Sequence, residues 1–164
     1  MTDWGHERLP DRTVRGLEGP RPHPQEPVRR GRDAVLLPGD KNVVLVFYPF
    51  AFSGICTGEL CEIRDNIAGF QGEDVQVLAI SCDPMFTLRA WAEDQGYDFP
   101  LLSDFWPHGK VAQDYGVFVE GGGLAKRGTF LVDKEGTIAW TLVNEPGQGR
   151  DFTGYHEALA ALRG

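Results

Sequence analysis

Residues 47–61 read FYPFAFSGICTGELC, and this stretch joins a strand pattern to a helix pattern. The run NVVLVFY (42–48) is continuously apolar, which is typical of a strand buried on both faces of a sheet. From 53 to 70, apolar residues recur at the spacing of one helix face, at Leu60, Ile63, Ile67 and Phe70. The stretch therefore predicts a strand–turn–helix unit, with Cys56 in the first turn of the helix and Cys61 five residues later.

The rest of the chain continues this alternation of strands and helices. The predicted elements are a buried strand at 75–81, helices at 85–97 and 108–116, a hairpin at 128–143 and a final helix at 155–163. Gly96 and Gly116 mark the predicted ends of the two middle helices, because glycine is the preferred residue just past a helix. This order implies an α/β protein with a mixed β-sheet flanked by helices on both faces, which is the order of a thioredoxin-like fold.

The length and composition of the chain indicate which class of protein it belongs to. A length of 164 residues suits one domain, which we predict over residues 1–164. We find no apolar run long enough to cross a bilayer and no apolar core of a secretory signal in the first residues. We therefore predict a cytoplasmic protein, whose three cysteines are reactive, metal-binding or buried rather than a disulfide framework.

Charge is divided unevenly along the chain. Residues 1–32 hold seven Arg and five acidic residues, whereas residues 33–164 hold nine basic and nineteen acidic ones, a net charge of −10. An acidic body disfavours nucleic acid and anionic membranes as partners. The cysteines and the four histidines lack the spacing of a zinc site, so we predict neither a metal nor a cofactor.

The predicted position of Cys56 favours a reactive thiol. Unpaired N–H groups and the helix dipole at a helix N-terminus stabilise the ionised form of a thiol. Glu59, three residues on, lies within reach on the helix surface and opposes that ionisation, so a cation is needed nearby. Arg127 and Arg150 are the two candidates. A small buried hydrophobic cysteine is the alternative that these residue types leave open.

The stretch PFAFSGIC (49–56) resembles the peroxiredoxin motif P-x-x-x-[ST]-x-x-C, and Thr57-Gly-Glu59 is similar to its usual continuation. Downstream, AISCDPMFTLRAW, FPLLSDFWPHGKVAQDYGV and RGTFLVD resemble peroxiredoxin segments in order and spacing. The amino-acid sequence of these segments is most similar to the AhpE-type branch of the family. The resemblance covers about residues 42–163. It implies a thiol-dependent peroxidase that reduces hydrogen peroxide, organic hydroperoxides or peroxynitrite.

The resemblance also implies a role for each matching position. Cys56 is expected to be the peroxidatic thiolate, which becomes a sulfenic acid and is then reduced by a thiol partner of the thioredoxin, mycoredoxin or low-molecular-weight type. Pro49 is expected to shield that thiolate from solvent, and Ser53 to hydrogen-bond the peroxide. Arg127 is expected to stabilise the thiolate and the charge developing on the oxygens. Glu59 is expected to orient Arg127.

Two interpretations of Cys61 stay open. Its spacing from Cys56 is that of the resolving cysteine in the Q-type (bacterioferritin-comigratory) branch. Residues five apart on an ideal helix are roughly 9 Å apart, whereas a disulfide needs Cα atoms within about 7 Å. Cys61 can therefore resolve Cys56 only if the first turns unwind, and otherwise it is a packed helix residue. Cys82 is predicted to be buried at the end of a strand.

The sequence also bears on the N-terminal segment, the oligomeric state and the alternative functions. Residues 1–32 contain LPDRTV, a divergent form of the usual peroxiredoxin start, so we predict a divergent and partly disordered N-terminal segment. The resemblance implies a homodimer, which aromatic residues in the loops 50–52 and 105–106 weakly support. The chain lacks the C-x-x-C of a disulfide oxidoreductase, whereas a non-catalytic peroxide sensor or holdase on the same scaffold remains an alternative.

Overall fold

The computed structural model describes residues 41–66 and 74–163. The predictions for residues 1–32 and for the helix end at 67–70 lie outside these ranges. The described elements are β1 (Asn42–Phe47), α1 (Gly54–Asp65), β2 (Val75–Ser81), α2 (Met85–Gln95), β3 (Leu101–Ser103), α3 (Lys110–Asp114), β4 (Phe118–Val119), β5 (Leu124–Ala125), β6 (Arg127–Val132), β7 (Ile138–Asn144) and α4 (Thr153–Arg163).

Five of the strands form one mixed sheet in the order β3-β2-β1-β6-β7. β1 pairs in parallel with β2 and antiparallel with β6, and β6 pairs antiparallel with β7. The central strand β1 is buried along its whole length, as its continuous apolar sequence predicts. β4 and β5 form a separate two-stranded sheet.

Helices cover both faces of the five-stranded sheet. Val44 and Val46 point to a core built with residues of α1, α2 and α4, whereas Val43, Leu45 and Phe47 point to a second core that contains residues of α3. This arrangement confirms the predicted fold class, a mixed sheet with helices on both faces.

The structure agrees with most predicted elements and corrects some boundaries. Gly96, at φ 67°, follows the last residue of α2 as predicted. Within the described residues, α1 begins at Gly54, one residue after the predicted start, and its last residue is Asp65. The Asn66 side-chain amide caps this last turn by donating to the Glu62 carbonyl at 2.8 Å. β3, β4 and β5 were not predicted, since runs of two or three residues show no clear periodicity.

The strand directions gather three chain segments at one edge of the sheet. β1 and β2 are parallel, so their C-terminal ends lie at the same edge. β6 runs the other way, and its Thr129 pairs with Val46 of β1. Arg127, which begins β6, therefore lies beside the end of β1, where the chain turns toward Cys56. None of the helices in the described ranges is long and apolar enough to cross a membrane.

Candidate active site

The first turn of α1 presents Cys56 at the edge where β1 ends. Ser53 is the N-cap, with extended backbone angles (φ −75°, ψ 146°), and its Oγ accepts a hydrogen bond from the Cys56 backbone N–H at 3.4 Å. The cap uses Ser53 Oγ as an acceptor, which leaves its hydroxyl hydrogen able to donate to a bound ligand. The predicted position of Cys56 in the first helical turn is therefore confirmed.

A guanidinium group lies directly against the Cys56 thiol. Arg127 Nη1 is 3.3 Å from Cys56 Sγ and 2.7 Å from Glu59 Oε2, and Arg127 Nε donates to the Pro146 carbonyl at 2.8 Å. Cys56, Glu59 and Arg127 are all buried. Two anchors thus fix the orientation of the guanidinium and aim one N–H group at the sulfur.

Glu59 binds a second arginine as well. Its Oε1 accepts from the Arg150 backbone N–H at 2.8 Å, and its Oε2 accepts from Arg150 Nη1 at 2.9 Å. Arg150 Nη2 also donates to the backbone carbonyl of Phe47, at the end of β1. Burial lowers the pKa of Arg150, although an arginine remains charged at neutral pH. Arg127 and Arg150 were alternatives in the sequence, and the structure brings both to Glu59.

The charged side chains around the Cys56 sulfur do not cancel. Two guanidinium groups face one carboxylate, so the cluster carries a net charge of +1 when the Cys56 thiol is neutral. This excess positive charge lies in a site sheltered from water, where electrostatic interactions are strong. Glu59 is therefore not an unpaired negative charge beside the sulfur, because its carboxylate binds both arginines.

The loop between β1 and α1 has an unusual backbone conformation. Pro49 is buried beside the end of β1, and Phe52 has φ 63° with its side chain 55% exposed. The left-handed region costs a residue with a side chain about 1–2 kcal/mol, so contacts elsewhere must hold Phe52 there. One such contact is the 2.8 Å hydrogen bond from the backbone N–H of Ala51 to Asp83 Oδ2. Sequence reasoning missed Asp83, which lies 32 residues along the chain.

The other two cysteines lie in different surroundings. Cys61, half-buried on α1, donates to Gln95 Oε1 at 3.5 Å and lies 3.7 Å from the Tyr97 hydroxyl. Cys82 is buried just after β2, as predicted, and burial raises its pKa to about 12, with the charges of Asp104 and Asp83 adding to the effect. The Arg64 guanidinium interacts electrostatically with Cys61, whereas the charges that act on Cys82 are those of two carboxylates.

The described residues offer no group of three or more metal-binding side chains that could hold an ion. The exposed large apolar side chains of the described residues include those of Phe50, Phe52, Ile55, Phe86, Phe105 and Trp106. His108 is exposed, and its Nε2 lies 2.7 Å from the Gly123 carbonyl oxygen.

Comparisons with known proteins agree with this geometry. Alkyl hydroperoxide reductase E of Mycobacterium tuberculosis is 53% identical over 124 residues, covering 76% of this chain and 81% of the relative. The chloroplastic 2-Cys peroxiredoxin of Spinacia oleracea is 32% identical over 132 residues, covering 76% of this chain and 49% of the relative. The first of these confirms the resemblance to the AhpE-type branch.

Solved structures and a family model give the same assignment. Enterococcus faecalis AhpC has a TM-score of 0.70 at 32% identity, with 77% of each chain covered. Mycobacterium tuberculosis AhpC has a TM-score of 0.67 at 29% identity, covering 78% of this chain and 76% of that one. The model of the AhpC/TSA family matches residues 32–141. The thiol enclosed by Ser53 and Arg127 thus lies on a shared scaffold, and the chain belongs to the AhpC/TSA family of peroxiredoxins.

Proposed function

We propose that this protein is a thiol-dependent peroxidase in which Cys56 is the peroxidatic cysteine. The observation that supports this most directly is the 3.3 Å contact between Arg127 Nη1 and the sulfur of a cysteine in the first turn of a capped helix. Such a site stabilises a thiolate and has donors ready for the oxygens of a peroxide. Hydrogen peroxide, organic hydroperoxides and peroxynitrite share the O–O bond that this chemistry requires.

The reaction follows from these positions. The Cys56 thiolate attacks the terminal oxygen of the peroxide, so an S–O bond forms as the O–O bond breaks. The sulfur loses two electrons and becomes a sulfenic acid. The leaving oxygen of hydrogen peroxide or of an organic hydroperoxide takes up a proton and departs as water or an alcohol, whereas peroxynitrite releases nitrite as the anion. The Ser53 hydroxyl and Arg127 hold the peroxide in line and stabilise the charge that develops on its oxygens. Buried Pro49 limits the access of water to the sulfur.

A thiol reductant must then restore Cys56 for a second turnover. We propose a partner of the thioredoxin, mycoredoxin or low-molecular-weight-thiol type, in the reducing cytoplasm. Peroxide consumption with and without added reductant tests this function. Consumption of many equivalents of peroxide per protein in the presence of a reductant supports a peroxidase. Consumption of only one equivalent with every reductant tested supports the non-catalytic sensor or holdase.

We further propose that Cys61 resolves the sulfenic acid. One equivalent of peroxide is expected to give sulfenic acid at Cys56, followed by a slower Cys56–Cys61 disulfide. The second step is slow because the Cys61 thiol must leave Gln95 and the first turns of α1 must unwind. Time-resolved peptide mass spectrometry measures both species. The resolving role fails if wild type passes from sulfenic to sulfinic acid as Cys61→Ser does.

Gly58 offers a matched test of the unwinding step. Glycine weakens a helix by about 1 kcal/mol relative to alanine, and a Cβ atom at Gly58 would meet no atom within 4 Å. Gly58→Ala is therefore expected to slow disulfide formation about fivefold, since 1.4 kcal/mol corresponds to a factor of ten. An unchanged rate would show that unwinding does not limit the step.

We also propose a homodimer that buries the exposed aromatic loops at the active-site edge. Trp106 is 82% exposed, and large exposed apolar groups often mark an interface. β3 is parallel to β2, so the loop after β3 lies at the same edge as the loop after β1. Light scattering at micromolar concentration is expected to show a dimer that Trp106→Ser weakens. Val143→Ser, on the edge strand β7, is the control that should remain dimeric. A monomeric wild type would exclude this interface.

A further inference from the structure

The carboxylate of Asp83 joins two segments of the active-site edge. Its Oδ2 accepts hydrogen bonds from the Ala51 backbone N–H at 2.8 Å and from the Ser81 hydroxyl at 2.7 Å. Ser81 is fully buried at the end of β2, and the Asp83 carbonyl accepts from the Ser103 hydroxyl at 2.6 Å. Asp83 is thus fixed to the ends of β2 and β3, and it holds the loop that follows β1.

The segment held by Asp83 leads directly to the peroxide-binding donor. Ala51 precedes Phe52, whose backbone is in the left-handed region, and Phe52 precedes Ser53, the cap of α1. A bulky residue keeps such a conformation only when its surroundings determine it. The Phe52 ring is more than half exposed and lies 6.1 Å from the ring of Trp91, so packing alone constrains it weakly.

We propose that Asp83 is a positioning residue of the peroxidase site, an inference that rests on the function proposed above. By fixing the Ala51 N–H, the carboxylate sets the backbone of Phe52 and thereby the place of the Ser53 hydroxyl over the Cys56 thiol. Asp83 has no contact with the sulfur and acts through the loop. A charged acceptor suits this task, because hydrogen bonds to a carboxylate are stronger than those to a neutral oxygen.

The expected result is a slower reaction of Cys56 with peroxide in Asp83→Ala. We expect the second-order rate constant to fall at least about tenfold, because a small displacement of a positioned donor is costly in an organised site. Single-turnover quenched flow with hydrogen peroxide, followed by thiol alkylation and mass spectrometry, measures this constant at Cys56. Asp83→Asn keeps an acceptor oxygen for Ala51 and is expected to recover most of the rate.

Asp133 supplies the matched control. Its Oδ1 accepts from the backbone N–H groups of Glu135 at 3.0 Å and Thr137 at 2.8 Å, in the turn between β6 and β7. That turn lies at the opposite end of β6 from Arg127, so Asp133→Ala removes a similar loop anchor far from Cys56. It is expected to react at the wild-type rate. Equal rate constants for Asp83→Ala and Asp133→Ala, or a faster Asp83→Ala, would overturn the proposal.

Two further measurements guard against a variant that fails to fold. Ser81→Ala removes the hydroxyl that orients the carboxylate but keeps the carboxylate itself, and it is expected to give an intermediate rate. A wild-type rate counts against the proposal. Hydrogen exchange of the Ala51 amide tests the anchor in the wild-type protein without any peroxide. If the Ala51 amide exchanges as fast as an unprotected amide, the proposed role of Asp83 is wrong. A wild type that consumes no peroxide while protecting the Ala51 amide would instead refute the peroxidase function alone.

Discussion

Cys56→Ser is expected to abolish peroxide turnover while leaving the fold intact. A serine hydroxyl is not ionised near neutral pH and cannot form the S–O bond, so the rate should fall by at least about 10³-fold. The replacement is nearly isosteric in a buried position, and the ion pairs of Glu59 with Arg127 and Arg150 do not depend on the sulfur. Peroxide consumption with excess reductant measures the loss, and circular dichroism checks the fold.

Cys61→Ser is the control for this variant. It removes a thiol from the same helix but leaves the cap at Ser53 and the contact with Arg127 in place. Its first oxidation should proceed at the wild-type rate. Near wild-type turnover by Cys56→Ser would mean that another thiol carries out the reaction and would refute the assignment.

Arg127→Ala is expected to slow the oxidation of Cys56 by about 10²-fold or more, the usual effect of removing a donor that stabilises a developing oxyanion. The thiolate loses the guanidinium 3.3 Å away, and the peroxide oxygens lose a positioned cation. Glu59 keeps two hydrogen bonds to Arg150, so no buried carboxylate is left unpaired. The loss should therefore fall mainly on the rate, measured by single-turnover oxidation.

Arg150→Ala should reduce the stability of the protein more than the rate of oxidation. This variant removes hydrogen bonds to Glu59 and to the Phe47 carbonyl but keeps the contact between Arg127 and the sulfur. We expect a larger drop in the thermal unfolding midpoint and a smaller drop in rate than for Arg127→Ala. If Arg150→Ala instead slows oxidation more than Arg127→Ala does, and the two variants are equally stable, then Arg150 is the residue that stabilises the thiolate and the peroxide oxygens.

The sequence predicts the parts of this molecule that depend on local pattern. The apolar run of β1 and the small residues before Cys56 define a strand that passes into a helix, and glycines mark the ends of the later helices. The order of these elements is enough to place Cys56 at the edge where the parallel strands end. Cys56 is therefore recognisable as the candidate nucleophile without coordinates.

The parts that pattern does not predict arise from contacts between distant segments. Glu59 joins Arg127 to Arg150. The family resemblance implies the first pairing, but local pattern indicates neither, because strand pairing and chain reversal bring these residues together. The bond between Asp83 and Ala51 likewise needs β1 and β2 to end side by side. Residue types could suggest two alternative cations, but only the fold shows that one carboxylate binds both.

The burial of Cys82 has a practical consequence for chemical experiments on this protein. Alkylating reagents and peroxides react with thiolates, and a buried thiol with a pKa raised to about 12 remains almost entirely protonated at neutral pH. In the folded protein Cys82 should resist labelling while Cys56 and Cys61 change state. The Cys82 peptide can then serve as an internal reference in mass spectrometry, and its modification would report that the molecule has unfolded.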